Sequence, residues 1–171
     1  MPDIRSYDGA LLFSGVLTER SLRGACLADG VLENLSLPGF DLREAVLSRA
    51  HFSQVDLSGA NLEAAQLDGV NGANVNLAGA RLSHANLYWA ALQEVSFRGA
   101  VLAHADLRGS TFIRADFSDA DLRGANLGRD ALGGATNLRA YTLARALYDA
   151  DTVLPIGILP AAHGMVWAGA A

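Results

Sequence analysis

The sequence predicts an all-β solenoid of about six stacked four-sided coils, finished by a short helical cap at the C-terminal end. Three observations carry this. Leu or Phe recurs every five residues without a frame shift from Leu12 to Leu127, a small apolar residue stands two positions before it, and Gly recurs two positions after it. A period of five is neither the 3.6 of a helix nor the 2 of a plain strand. It suits three extended residues followed by a two-residue corner.

Of the 24 positions in the series, 19 are Leu, four are Phe (Phe52, Phe97, Phe112, Phe117) and one is Gly72. Chance would place about five Leu or Phe there, so the pattern is a structural period. The site two residues earlier holds Ala in 14 of 24 repeats and Val at Val55, Val70, Val75 and Val95. Between these apolar sites lies a polar one, Asp or Asn in ten repeats, as in Ala60-Asn61-Leu62. Alternation along an extended segment turns the Ala and the Leu inward and the Asp or Asn outward. The corner needs a residue tolerant of positive φ, which explains Gly in eight repeats and the turn-favouring pair Pro38-Gly39. Four such sides make a coil of 20 residues, so 24 repeats make six coils. At about 4.8 Å per coil the rod is roughly 29 Å long.

The tandem A-[DN]-L-x-x motif resembles the pentapeptide-repeat family over residues 10–132. The resemblance implies a right-handed quadrilateral β-helix with the central Leu or Phe and the preceding Ala inside. The chain accordingly divides into a lead-in (1–9), the repeat (10–132) and a C-terminal segment (133–171). The first two coils depart from the pattern, with Arg20, Leu35 and Phe40 where Ala is expected. That end is predicted to be wider or irregular, with Arg20 not fully inward.

Residues 20 apart stack in the interior, and one predicted ladder reads Leu12, Leu32, Phe52, Gly72, Leu92, Phe112. Gly72 is expected to leave a leucine-sized void, with Phe52 placed to tip into it. After Leu132 the repeat lapses. Residues 138–148 read as a short helix, with Leu138, Tyr141, Ala144, Leu147 and Tyr148 on one face and Thr136 or Asn137 as N-cap. The same element is implied by the helical end caps of the family. Residues 153–171 carry Ile156, Ile158, Leu159, Met165, Val166 and Trp167 and one ionisable side chain, His163. Their prolines and glycines argue against a membrane-spanning helix. The segment is read as a cap, or as a homodimer contact anchored by Trp167, Met165 and Ile158.

Composition excludes several chemistries. All 13 basic residues are Arg, so P-loop, Schiff-base and kinase lysines are absent. The single cysteine, Cys26, rules out an internal disulfide and a cysteine-built zinc site. A net charge of −5 argues against direct nucleic-acid binding. The N-terminal residues show no secretory pattern, so a cytoplasmic location is expected.

Sorting the outward residues by side gives a smooth, acidic one with Glu19, Asp56, Asp116 and Asp119 against Arg98, and with Gly39, Gly59, Gly79 and Gly99 at its corners. The next side mixes Asp41, Glu44, Glu63 and Asp121 with Arg23, Arg43, Arg81 and Arg123, a solvated charge lattice. His84 and His104 should stack, without a third ligand for a metal. Tyr88 and Trp89 form an exposed aromatic contact spot. No nucleophile, base and orienter converge, so neither an enzyme nor a cofactor is expected. The leading reading is a protein-interaction or scaffold module. The alternative rests on the resemblance: some pentapeptide-repeat proteins mimic DNA, bind DNA gyrase or topoisomerase IV, and protect against quinolones or toxins.

Overall fold

The computed structural model describes residues 4–6, 8–13 and 20–169. Ten short strands appear among them: β1 (Ile4–Ser6), β2 (Leu11–Phe13), β3 (Gly30–Glu33), β4 (His51–Asp56), β5 (Asn71–Asn76), β6 (Ala91–Ser96), β7 (Thr111–Ile113), β8 (Asn137–Arg139), β9 (Leu147–Tyr148) and β10 (Val166–Trp167). Strands β3 to β8 pair in parallel, one per coil, with Leu32, Phe52, Gly72, Leu92, Phe112 and Leu138 in successive register. Parallel bridges form three further ladders, beginning at Ser21, Cys26 and Ser36. One of them runs Ser21, Asp41, Asn61, Arg81, Val101, Asp121, Leu147 and on to Val166, so the solenoid has about seven turns rather than six.

The five-residue rule has a direct backbone cause. Every residue two places after an interior Leu or Phe, from Gly24 to Gly124, has positive φ, and this includes non-glycine residues such as Glu44 (+59°) and Ala64 (+56°). Such a conformation costs a residue with a Cβ about 1 kcal/mol or more. Hydrogen bonds offset the cost. The Ala65 N–H closes the corner onto the Leu62 carbonyl (3.0 Å), while Asn61, Leu62 and Ala64 donate to neighbouring coils. The outward Asp or Asn adds a second closure, its side-chain oxygen accepting the N–H two residues on. Asp41, Asp56, Asn61, Asn76, Asn86, Asp106, Asp116, Asp121 and Asn126 all do this. Asp and Asn are therefore chosen less for solubility than as corner locks.

The interior is filled as expected. Leucines and phenylalanines of the ladders are buried, with the small Ala residues of the preceding position between them. Phe97 and Phe117 stack at 4.8 Å, and Phe112 meets both edge-on at 5.7 Å. Leu35 and Phe40 also point inward, enlarging the first coil, whereas Arg20 is exposed at a corner with φ +50°. Arginine forks brace the outside. Arg43 grips Asp41, Arg108 grips Asp106 and Arg123 grips Asp121 within one side, and Arg49 grips Asp29 across coils. The guanidinium of Arg43 holds the Asp41 carboxyl at about 2.

Three expectations are corrected. First, Leu12 does not sit beneath Leu32. β2 pairs antiparallel with β1, and β1 pairs antiparallel with β3, so an N-terminal hairpin covers the first parallel edge and Ile4 closes the interior. An open edge needs such a cover.

Second, the helix over 138–148 is absent. The repeat lapses because six residues, 130–135, are inserted. The bridge spacing changes from 20 (Asp106 to Asn126) to 26 (Asp116 to Thr142). It then resumes as Thr136-Asn137-Leu138, Tyr141-Thr142-Leu143 and Ala146-Leu147-Tyr148, with positive φ again at Ala140 and Arg145. Pairing with the preceding coil satisfies a whole row of backbone groups, which an amphipathic helix laid on that edge would leave open. The helix found among the described residues is a single 3-10 turn, Pro160–His163, ended by Gly164 at φ +66°. No helix among them is long and apolar enough to cross a membrane.

Third, Gly72 is a point of close backbone contact and not simply a missing interior side chain. Its φ is +154°, and a Cβ there would lie 1.9 Å from the carbonyl oxygen of Phe52. The side-chain direction runs along the stack into neighbouring backbone, so no leucine could fill the interior from this position. Gly72→Ala should therefore destabilise by about 1–3 kcal/mol, read as a Tm several degrees lower in a thermal melt. An unchanged Tm would contradict the close approach.

Candidate functional site

The acidic side and the aromatic corner lie on different ladders. Asp56 and Asp116 lie on the ladder Ser36–Asp56–Asn76–Ser96–Asp116–Thr142. Tyr88 and Trp89 follow Asn86 on the ladder that starts at Cys26, which is not its neighbour. Glu19 lies outside the described residues.

On the first side the acidity is largely spent. Asp56 accepts from the Ser58 amide and from Asn76 Nδ2 (2.9 Å), and Asp116 from the Ser118 amide. Asp119 receives a two-pronged fork from Arg145 (2.6 and 2.7 Å), with Arg98 at 3.9 Å. The Arg145 fork holds the Asp119 carboxyl below the usual carboxylate range. The resumed repeat places Arg145 here. Three acids thus face two arginines on a surface whose corners are glycines.

The other side carries an aromatic cluster outside the interior. His84 and His104 stack with centroids 5.2 Å apart and planes at 11°. The column ends on Gly124, where a Cβ would lie 2.3 Å from His104 Nδ1, so glycine there makes room for the ring. Tyr88 and Trp89 stack at 5.8 Å, and the Arg108 guanidinium sits 5.7 Å from the Tyr88 centroid while forked to Asp106. A cleft of about 360 Å³ is lined by His84, His104, Asn86, Tyr88, Asp106 and Arg108, together with Ala131 of the inserted segment.

That insertion is a built element. Arg129 and Ala135 bridge antiparallel at its base. Trp89 Nε1 donates to Asp130 Oδ2 (2.5 Å), and the amides of Leu132 (2.8 Å) and Gly134 (2.6 Å) donate to Asp130 Oδ1. Together these donors, Trp89 foremost, pull the Asp130 carboxyl below its ordinary range. Gly109 lies under the indole, since a Cβ there would meet Trp89 Cδ1 at 2.4 Å. The latch holds the hairpin against the aromatic corner and leaves Leu132 at its tip 82% exposed and Trp89 51% exposed. Sequence reasoning missed the hairpin. The signal was the recovery of the five-residue frame at Asn137-Leu138.

At the C-terminal end Met165 is buried and Ile158 packs partly on the core, while Ile156, Leu159, Val166 and Trp167 are exposed. β10 pairs with β9, and Trp167 meets Tyr148 edge-on at 5.2 Å. Cys26 is an exposed thiol. Among the described residues no group of three or more His, Cys, Asp or Glu could hold a metal ion.

A search of curated proteins gives no match. Similar solved structures include QnrB1, a plasmid-mediated fluoroquinolone resistance protein (18% identity, 70% of this chain and 63% of that one, TM-score 0.43). The chain thus spans less than two thirds of QnrB1. Two others are HetL of Nostoc sp. strain PCC 7120, involved in heterocyst differentiation regulation (20%, 87% and 87%, 0.27), and the pentapeptide-repeat protein Rfr23 of Cyanothece 51142 (27%, 80% and 92%, 0.27). The family model for pentapeptide repeats matches residues 25–63, 56–93 and 90–129 in 8 copies. With more than half of its length matched, the chain belongs to the pentapeptide-repeat family.

Proposed function

We propose that this chain is a non-catalytic protein-interaction or scaffold module, built on a right-handed four-sided β-helix and working in the cytoplasm without a cofactor. Its partner is another protein. The observation that carries this reading is the cluster of Tyr88, Trp89 and Leu132. The exposed Trp89 and Leu132 and the half-buried Tyr88 stand together beside a cleft, on a rod whose remaining sides are braced by charge pairs and short polar residues. Aromatic anchors with a polar surround are what protein interfaces use most.

The DNA-mimic alternative, with DNA gyrase or topoisomerase IV as partner, is supported by the smooth glycine-cornered side and by Asp56 and Asp116. The Arg145 fork on Asp119 weakens it. Comparative capture from a native lysate tests both. The Tyr88→Ser/Leu132→Ser protein, which keeps the Trp89–Asp130 latch, should lose a partner that the parent retains, with Tm unchanged. Identical captures would overturn the interaction reading at this face. A parent that alters gyrase supercoiling, with the effect lost on neutralising Asp56 and Asp116, would establish the alternative instead.

Self-association through the tail belongs to the same proposal, because Ile156, Leu159, Val166 and Trp167 stay exposed at the last strand edge. The full-length protein should sediment as a dimer at tens of micromolar, and Trp167→Arg should return it to a monomer. A monomeric parent would leave the tail as a cap of its own chain.

A further inference from the structure

We propose that the cleft beside the hairpin is a docking site for an acidic side chain, Glu or Asp, carried by an apolar segment of a partner protein. This rests on the interaction reading above and names the chemistry that the face would recognise. Each of the two carboxylates near the cleft already accepts three hydrogen bonds from its own chain. Asp106 takes Nε and Nη2 of Arg108 and the Arg108 amide. Asp130 takes the Trp89 indole and the amides of Leu132 and Gly134. Asp106 is in addition neutralised by the Arg108 guanidinium at 2.7 Å.

The donors are not saturated. Neither the His84 nor the His104 ring has a hydrogen-bond partner among the described residues, and the fork to Asp106 leaves Arg108 Nη1 unused. All three side chains line the same 360 Å³ cleft. A neutral imidazole keeps one N–H donor and one acceptor, and a guanidinium only donors, so the unspent capacity is mainly that of a donor site. A carboxylate is the side chain that answers several converging donors most strongly. The exposed Trp89 and Leu132 and the half-buried Tyr88 beside the cleft supply apolar contact area that a small anion could not use, which points to a polypeptide. Corner geometry supports the same view. His84 and His104 occupy left-handed positions, each at φ +58°, where Gly is the cheaper residue. The imidazoles are held there at a conformational cost.

The probe is the capped peptide acetyl-Ala-Leu-Glu-Leu-Ala-amide, compared with its Gln counterpart and with inorganic phosphate. Binding is read by nuclear magnetic resonance on the four histidine side chains of the intact protein. His51 beside Asn71 and His163 beside Tyr141 lie elsewhere and serve as internal controls. The Glu peptide should saturably shift the His84 and His104 resonances, the Gln peptide should bind roughly tenfold more weakly, and phosphate should not match the Glu peptide. His84→Gly/His104→Gly, which suits the left-handed corners, should abolish binding while leaving Tm unchanged or raised. Equal binding of the Glu and Gln peptides, shifts spread over all four histidines, or phosphate binding as tight as the peptide would overturn the proposal. Should the peptide fail while capture still depends on Tyr88 and Leu132, the acidic occupant falls and the interaction face stands.

Discussion

The structure depends on one backbone constraint. Every fifth residue turns the chain through the left-handed region, and the two residues that flank each three-residue side must both point inward. Either condition alone would permit other folds. Together they fix the side length, hence the 20-residue repeat of the ladders, hence which side chains stack. Glycine meets the corner at no steric cost, yet most corners here are not glycine. Bonds to the neighbouring coils hold them, joined at corners such as Glu44 and Ala64 by the closing amide and by an Asp or Asn oxygen on the i+2 amide. The repeated Asp or Asn is therefore part of the fold's mechanics before it is part of any surface.

This has a consequence for reading function from charge. An aspartate that locks a corner and is gripped by an arginine contributes little to a long-range field. Asp41, Asp106 and Asp121 each do both, and Asp119 is forked by Arg145. Part of the net charge of −5 is thus set in a lattice braced by arginine forks. What stands apart is the aromatic corner with its hairpin, where the repeat's own rules are broken twice. Tyr88 and Trp89 occupy corner positions usually filled by small or polar residues, and the insertion at 130–135 is tied to one of them.

Much of this was legible in the sequence. The period, the inward Leu and Ala, the positive φ after the Leu and the stacked histidines all follow from spacing, because a strict repeat turns sequence distance into spatial distance. What was lost lies where the repeat meets an end or an interruption. The N-terminal hairpin shares the Leu periodicity at Leu12 but pairs antiparallel, and nothing in a five-residue count reveals strand direction. Residues 138–148 satisfy a helical spacing and a five-residue spacing at once. Tertiary pairing decided between them, burying Leu143 and Ala146 as rungs. Gly72 was readable as a missing side chain, but not as a point of backbone contact, because the sequence does not show the direction of an absent Cβ.

The claim that a single five-residue frame governs the chain through Tyr148 is tested most directly at the insertion. Arg129 is the corner at which the left-handed turn is missing and the chain leaves the coil. Deleting the six residues Asp130–Ala135 would join Arg129 to Thr136 and restore Leu127 and Leu138 to a spacing of five. Circular dichroism melts of that variant should retain the β-type signal and one cooperative transition near the parent's. Deleting only five, Ala131–Ala135, leaves the frame one residue out and should lower or broaden the transition. Loss of the β signal in the six-residue deletion, or equal behaviour of the two variants, would contradict the account.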